Sequence, residues 1–302
     1  MRVLIAADVD RTFVSRITAD ARFTVTHRPV KTEDELASIV GDCEVLVTRA
    51  YSKVTRRVIA AAPHLRLIAQ GTSGTDNIDE AAARERGIAI ASLPGENANA
   101  VAELVIGYLI SMTRTIPRYT RDVVQGLWER DDCATRHELR HYRLGIIGLG
   151  QVGGRVARLA RAFSMEVQAY DPYIADDAFV NASRVASLDD LLATSDILTI
   201  HVPLSDETRG MIGAREIALL PRGSYLVSAA RGEVLDQTAA LTALREGHLA
   251  GLAMDVFDPE PPVDGLPDDP RLVLTPHTAG CTYEAKAAIG EKLYDKVVAW
   301  LP

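Results

Sequence analysis

Residues 144–153 read LGIIGLGQVG. An apolar run of strand composition enters Gly148-Leu149-Gly150-Gln151-Val152-Gly153, and Val152, Val156, Leu159, Ala160 and Phe163 then recur at the spacing of one helical face. Strand, glycine turn and helix in that order make a phosphate-binding corner. Gly148 permits the tight turn, Gly150 lets the backbone approach a pyrophosphate, and Gly153 allows the helix to pack closely on the strand. The helix N-terminus supplies unpaired N–H groups and a partial positive charge. A second apolar run, VQAY, ends at Asp171, 18 residues beyond Gly153, close to the about 20 that separate such a turn from the acid that binds a ribose hydroxyl. An anionic Asp171 accepts from a 2′-OH but repels a 2′-phosphate by roughly 1–4 kcal/mol at contact distance. The reading is a dinucleotide site that prefers NAD to NADP.

Working outward, short apolar runs alternate with longer helical patterns along nearly the whole chain. Strand-like runs fall at 3–7, 45–48, 67–69, 88–91, 144–148, 167–170, 197–202, 226–229, 251–256 and 273–275. They are continuously apolar, as strands buried on both faces are. Helical patterns lie between them, such as 101–113 with Val101, Leu104, Val105, Tyr108, Leu109 and Met112 on one stripe. This alternation predicts an α/β protein of parallel sheets flanked by helices. The stretch SLPGENAN (92–99) is a candidate crossing between domains. FDPEPPVDGLPDDP (257–270) carries too many prolines for a helix or a central strand, and so reads as a loop following a strand.

The 302 residues suit two domains of roughly 150 residues each. At 47% hydrophobic and 25% charged the chain can bury a core. Its 33 basic against 41 acidic side chains, net −8, argue against a nucleic-acid or anionic-membrane partner. No apolar run reaches the about 18 residues of a membrane span, and MRVLIAADVDRTF turns acidic too early for a signal peptide. Cys43, Cys133 and Cys281 are far apart, which excludes a CxxC metal or redox pair. A cytoplasmic protein without a metal site is the expectation.

Three polar residues follow later strands: Arg231 after LVSAA, Glu260 after LAMDVFDP, and His277 after LVLTP. If those strands are parallel, their C-terminal ends share the sheet edge that carries the cofactor, and the three side chains converge there. Reduction of a 2-keto acid needs a hydride on the carbonyl carbon and a proton on its oxygen. Histidine, with a pKa of about 6.5, is the natural donor near neutrality, and a neighbouring carboxylate stabilises its cation. Arginine offers a planar fork for a substrate carboxylate.

With these motifs in view, the chain resembles the D-2-hydroxyacid dehydrogenases, most closely their phosphoglycerate dehydrogenase branch. The resemblance runs from about residue 45 to about 288, on TRAYSKVT (48–55), GTSGTDNID (71–79), NANAVAE (97–103), LGIIGLGQVG (144–153), HVPL (201–204), ARGEVLD (230–236), MDVFDPEPP (254–262) and PHTAG (276–280). It implies two Rossmann-like, doubly wound parallel-sheet domains. The NAD-binding domain (94–280) is inserted into a substrate-binding domain (1–93 and 281–302), with the active site in the cleft and a homodimer formed through the nucleotide domain. It implies His277 as acid/base, Glu260 as its pKa-raising partner, and Arg231 as substrate anchor. Ser73 and Gly74 would bind the substrate carboxylate through backbone N–H groups, and Arg49 would contact a phosphate. Gln151 and Val152 would cover the pyrophosphate and Asp171 hold the ribose. Val202, Pro203, Ala229, Ala230, His277 and Gly280 would line the cofactor, and Asp255 would receive the nicotinamide carboxamide.

The resemblance also discriminates. Similar formate dehydrogenases carry Gln beside the histidine, so Glu260 points to a 2-keto acid substrate. Gln70 stands where phosphoglycerate enzymes often carry a basic residue, Ser228 replaces a common Asn, and Glu233 a common Gly. Glyoxylate or hydroxypyruvate is the rival substrate. Dinucleotide-sensing corepressors share this fold and trio and are the rival of another class. No regulatory domain beyond Pro302 is expected.

Overall fold

The computed structural model describes residues 1–130, 133, 136–263 and 265–301; Asp264 of the proline-rich stretch and the terminal Pro302 lie outside them. The chain forms two compact units, Met1–Asn97 with Cys281–Pro302, and Ala98–Gly280.

The first unit is built on five strands, β1 (Arg2–Ile5), β2 (Thr24–His27), β3 (Val45–Thr48), β4 (Leu67–Gln70) and β5 (Ala89–Ala91), in the order β2-β1-β3-β4-β5. All pairs are parallel. Alternate residues of one strand enter different cores. Val3, Ile5, Val45, Val47 and Leu67 pack with Phe13, Ile17, Leu293 and Val297, while Leu4, Leu46 and Ile68 pack with Leu36, Val58 and Ile59. Both faces are therefore covered, which is why the strands read as unbroken apolar runs. Leu293 and Val297, on the last helix Tyr283–Trp300, are fully buried. That burial returns the C-terminal segment to the first unit with about 3–6 kcal/mol from these two side chains.

The second unit carries seven parallel strands: β6 (Arg143–Ile147), β7 (Glu166–Tyr170), β8 (Ser183–Arg184), β9 (Ile197–Ile200), β10 (Ser224–Ser228), β11 (Leu249–Met254) and β12 (Leu272–Leu274). Their order is β12-β11-β10-β9-β6-β7-β8. Helices Ala98–Thr113 and Gln151–Ala162 cover one face through Val105, Leu109, Val156 and Ala160, and Leu191, Ile217, Ala240 and Leu244 cover the other. The order reverses at the β6/β9 boundary, where an open parallel sheet leaves a crevice beyond its carboxyl ends. Residues following β6, β7, β9, β10, β11 and β12 all emerge at that one edge.

Two strands escaped the apolar-run criterion, β2 and β8. Both are edge strands, and their residues TVTH and SR are mostly exposed, so neither needs a continuous apolar run. Within the described residues 257–270 contain no helix or strand. No helix among the described residues is long and apolar enough to cross a membrane.

Candidate active site

The glycine turn follows β6 directly. Gly148 has φ +82°, and a Cβ there would lie 2.8 Å from the His201 carbonyl oxygen and 2.9 Å from Val202. A Cβ on Gly153 would lie 2.1 Å from the Gly148 carbonyl oxygen, so the helix Gln151–Ala162 approaches β6 closer than any side chain allows. Gly150, by contrast, has nothing within 4 Å of its Cβ direction. The corner is sealed where helix meets strand and open at the helix start. Gln151 and Val152 form its first turn, whose N–H groups have no intrahelical acceptor.

Asp171 follows β7 and faces this turn. Its Oδ2 accepts from the Leu149 N–H at 2.9 Å and its Oδ1 from the Tyr173 N–H at 3.0 Å. Each oxygen keeps further lone-pair capacity for a ribose hydroxyl. A sealed glycine corner with an open helix start and an acid at its rim fits a dinucleotide. Gly148, Gly150, Gln151, Val152 and Gly153 would hold the pyrophosphate and Asp171 the ribose. Val202 and Pro203 follow β9 and Ala229 and Ala230 follow β10, at the same edge; Val202, Ala229 and Ala230 are half-buried and Pro203 is exposed.

At this edge the structure brings the polar trio together. His277 Nδ1 lies 2.8 Å from Glu260 Oε2, and Glu260 Oε1 accepts the Phe257 N–H at 2.9 Å. The carboxylate is thus anchored at one oxygen and engages the imidazole with the other. With Nδ1–H donated to Glu260, Nε2 is left as the nitrogen that exchanges a proton. The hydrogen bond and charge of Glu260 raise the His277 pKa above its ordinary value; burial opposes this, Asp255 adds to it and the Arg231 cation reduces it. Burial pushes Glu260 upward, but hydrogen bonds from His277 and the Phe257 N–H, with the charges of His277 and Arg231, hold it below the usual carboxylate range. Arg231 therefore acts electrostatically on both partners, and its Nη1 donates to the Ala230 carbonyl at 2.8 Å.

Another histidine at this edge behaves oppositely. His201 follows β9, and desolvation pushes its pKa down to about 3. It stays neutral near pH 7 and pairs with Thr199 Oγ1 at 2.9 Å. The sequence places both histidines after strands; only His277 has a carboxylate partner.

Asp255 follows β11 and is almost fully buried. Its Oδ1 accepts from the Thr278 N–H at 2.8 Å and from the Thr275 hydroxyl, and its Oδ2 accepts from the Ala279 N–H at 2.9 Å. Most of its acceptor capacity thus goes to the loop bearing His277. Gly280 closes that loop at the end of the second unit.

Two further features lay outside the sequence reading. A Cβ on Gly232 would lie 1.9 Å from the Phe257 carbonyl oxygen, so the loop after Arg231 packs directly on the segment leading to Glu260. Thr275 was read only as the end of a strand. The signal for Gly232 is its place immediately after Arg231; Thr275 gives none.

In the first unit, Ser73 Oγ lies 3.0 Å from the Leu93 carbonyl and 2.9 Å from Asn97 Oδ1, which share its one hydroxyl proton. Among the described residues the backbone N–H groups of Ser73 and Gly74 have no acceptor. The two N–H protons of buried Gln70 are shared among Thr72 Oγ1 at 2.9 Å, the Gly74 carbonyl at 3.1 Å and Asn77 Oδ1 at 2.7 Å, and its Oε1 accepts from Thr48 at 2.6 Å. Asn77 in turn donates to the carbonyls of Arg49 and Ser52. This network shapes the 71–77 loop and ties it to the Arg49 turn. Arg49 itself reaches the Asp8 carbonyl at 3.1 Å.

Residues 106–279 match the family model described as D-isomer specific 2-hydroxyacid dehydrogenase, NAD binding domain. The chain is 38% identical over 273 residues to a D-3-phosphoglycerate dehydrogenase of Methanocaldococcus jannaschii, covering 88% of this chain and 51% of that protein. It is 36% identical over 269 residues to a hydroxypyruvate reductase of Thermotoga maritima, covering 88% and 87%. The chain spans about half the length of the phosphoglycerate dehydrogenases it matches first. The crystal structure of an Aquifex aeolicus D-lactate dehydrogenase complexed with NAD and lactic acid superposes with a TM-score of 0.88 at 27% identity, over 99% of this chain and 95% of that one. The chain therefore belongs to the D-isomer specific 2-hydroxyacid dehydrogenase family, with residues 106–279 matching its NAD-binding domain.

Proposed function

We propose that this protein is an NAD-dependent oxidoreductase interconverting D-2-hydroxy acids and 2-keto acids, with 3-phosphoglycerate and 3-phosphohydroxypyruvate as its substrate pair. The observation that carries the chemistry is the 2.8 Å contact between His277 Nδ1 and Glu260 Oε2 at the sheet edge that bears the glycine corner.

Bound NADH supplies the hydride for the carbonyl carbon. In the reducing direction His277, protonated and braced by Glu260, gives its Nε2 proton to the carbonyl oxygen; in oxidation, neutral His277 takes the hydroxyl proton. Arg231 pairs its fork with the substrate carboxylate and polarises the carbonyl. The N–H groups of Ser73 and Gly74 are assigned to the same carboxylate, and Arg49 to the phosphate. Asp171 is assigned to the adenosine ribose, and its charge favours NAD over NADP.

A second reading, reduction of unphosphorylated hydroxypyruvate or glyoxylate, is favoured by Gln70. That residue is neutral and spends its amide on the loop, so it adds no charge for a phosphate. Homodimerisation belongs to the proposal and is supported by exposed Val123, Val124, Leu127 and Trp128 on and after the helix Ile116–Val124, which buries none of its residues. Cytoplasmic residence is assigned with it.

The deciding experiment is an NADH-oxidation screen over 3-phosphohydroxypyruvate, hydroxypyruvate, glyoxylate, pyruvate and 2-ketoglutarate. Highest kcat/KM on 3-phosphohydroxypyruvate supports the first reading, and highest on hydroxypyruvate or glyoxylate the second. No turnover on any of them contradicts both.

A further inference from the structure

His277 stands in the left-handed region at φ +53°, a conformation costly for a residue with a Cβ and kept only where its surroundings impose it. What imposes it lies behind the loop. The His277 N–H donates to the Asp255 carbonyl at 2.7 Å, and the next two N–H groups, of Thr278 and Ala279, donate to the Asp255 carboxylate at 2.8 and 2.9 Å. On the other side Thr275 Oγ1 also meets that carboxylate. One buried side chain thus grips the loop before and after the histidine.

The grip extends one step further. Tyr108, on helix Ala98–Thr113 and only 2% exposed, bonds Thr275 Oγ1 through its hydroxyl. The chain of bonds has a fixed direction. An ionised carboxylate only accepts, so the single Thr275 proton goes to Asp255, and Tyr108 must donate to Thr275. A buried tyrosine hydroxyl is costly unless paired, and an apolar side chain would fill this helix position without that demand.

We infer that Tyr108 and Thr275 are positioning residues which, acting through Asp255, hold His277 in its left-handed conformation against Glu260. The inference rests on the reading of His277 as the proton donor. Among the described residues the side-chain hydrogen bonds of Tyr108 and Thr275 lead to Asp255 and not to Glu260; both act on the backbone that aims the imidazole. The charges facing that imidazole are Glu260 and Asp255, which favour its cation, and Arg231, which opposes it.

The test uses the full-length enzyme with Thr275→Val, which keeps the side chain's shape and removes its hydroxyl, Thr275→Ser, which restores a hydroxyl, and Tyr108→Phe. The His277 imidazole is titrated by NMR with 15N-histidine, the signal being assigned by its loss in His277→Ala. kcat, KM and NADH Kd are measured beside it on the best substrate of the screen. In Thr275→Val the His277 pKa falls by roughly 0.5 or more. kcat falls about tenfold while KM and NADH Kd stay within about twofold. Thr275→Ser returns both quantities toward wild type, and Tyr108→Phe moves them the same way by less. Wild-type titration and kcat in folded Thr275→Val and Tyr108→Phe overturn the inference, as does a kcat loss matched by an equal loss of NADH affinity. Should Thr275→Val not fold, Tyr108→Phe carries the same comparison. The titration needs no turnover, so failure of the dehydrogenase reading, seen as a wild type inactive on every keto acid, is told apart from failure of the positioning role.

Discussion

Glu260 Oε2 engages His277 Nδ1 at 2.8 Å while Glu260 Oε1 is fixed by the Phe257 N–H. The pair favours the ion pair of imidazolium and carboxylate, raising His277 and lowering Glu260, and the pH dependence follows from those signs. The folded-state His277 pKa is raised, so its protonated form persists to higher pH than a free imidazole and is lost as pH climbs through the raised value. In the proposed reaction that form reduces the keto acid, so reduction weakens over that interval and oxidation of the hydroxy acid, which would use neutral His277, strengthens.

Glu260→Gln removes the charge that favours the cation. The alkaline limb of the reductive kcat/KM profile shifts to lower pH. The reductive rate on that limb falls, whereas NADH affinity is unchanged. A pH profile of kcat/KM for both directions checks this.

Arg231→Ala removes the charged, planar side chain proposed to pair with the substrate carboxylate, worth about 1.5–3 kcal/mol as hydrogen bonds to a charge. kcat/KM for the keto acid falls by about 10–100-fold or more, with NADH Kd within about twofold. Arg231→Lys restores little, because an ammonium lacks the fork. Steady-state kinetics with parallel fluorescence titration of NADH separates the two effects.

Asp171→Ala weakens NADH about tenfold by loss of the ribose acceptor. It also narrows the preference over NADPH, since the anionic repulsion of roughly 1–4 kcal/mol disappears. Gly153→Ala is harsher: its Cβ would meet the Gly148 carbonyl at 2.1 Å, so both Tm and NADH affinity fall. Ratios of kcat/KM for the two cofactors and a thermal melt read these outcomes.

Arg49→Ala separates the two substrate readings. Affinity for 3-phosphohydroxypyruvate falls about tenfold or more with loss of a charge-assisted phosphate contact, while KM for hydroxypyruvate changes less than about twofold. Equal losses on both substrates contradict a phosphate role for Arg49.

The parallel sheets were legible because interior strands such as Val45–Thr48 and Ile197–Ile200 are buried along their whole length and so cannot alternate polar with apolar residues. Thr24–His27 and Ser183–Arg184 were not, because an edge strand is specified by backbone pairing to one neighbour and not by its side chains. The glycine corner was legible because Gly148 answers to its own backbone φ of +82° and Gly153 to the Gly148 carbonyl five residues before it, although the crowding of Gly148 by His201 and Val202 comes from the neighbouring strand. The Tyr108, Thr275 and Asp255 chain was not, since its links join positions 167 and 20 residues apart and each residue alone reads as core or strand end. Gln70 shows the same limit: its position was read for charge, yet the structure uses its amide to tie Thr48, Thr72, Gly74 and Asn77 together.

The most direct measurement is turnover by His277→Ala on the best keto acid, beside its NADH Kd. The assignment of His277 as proton donor requires kcat to fall by about 10²–10⁴-fold with NADH Kd within about twofold of wild type. Turnover close to wild type in a folded, NADH-binding His277→Ala enzyme would contradict it.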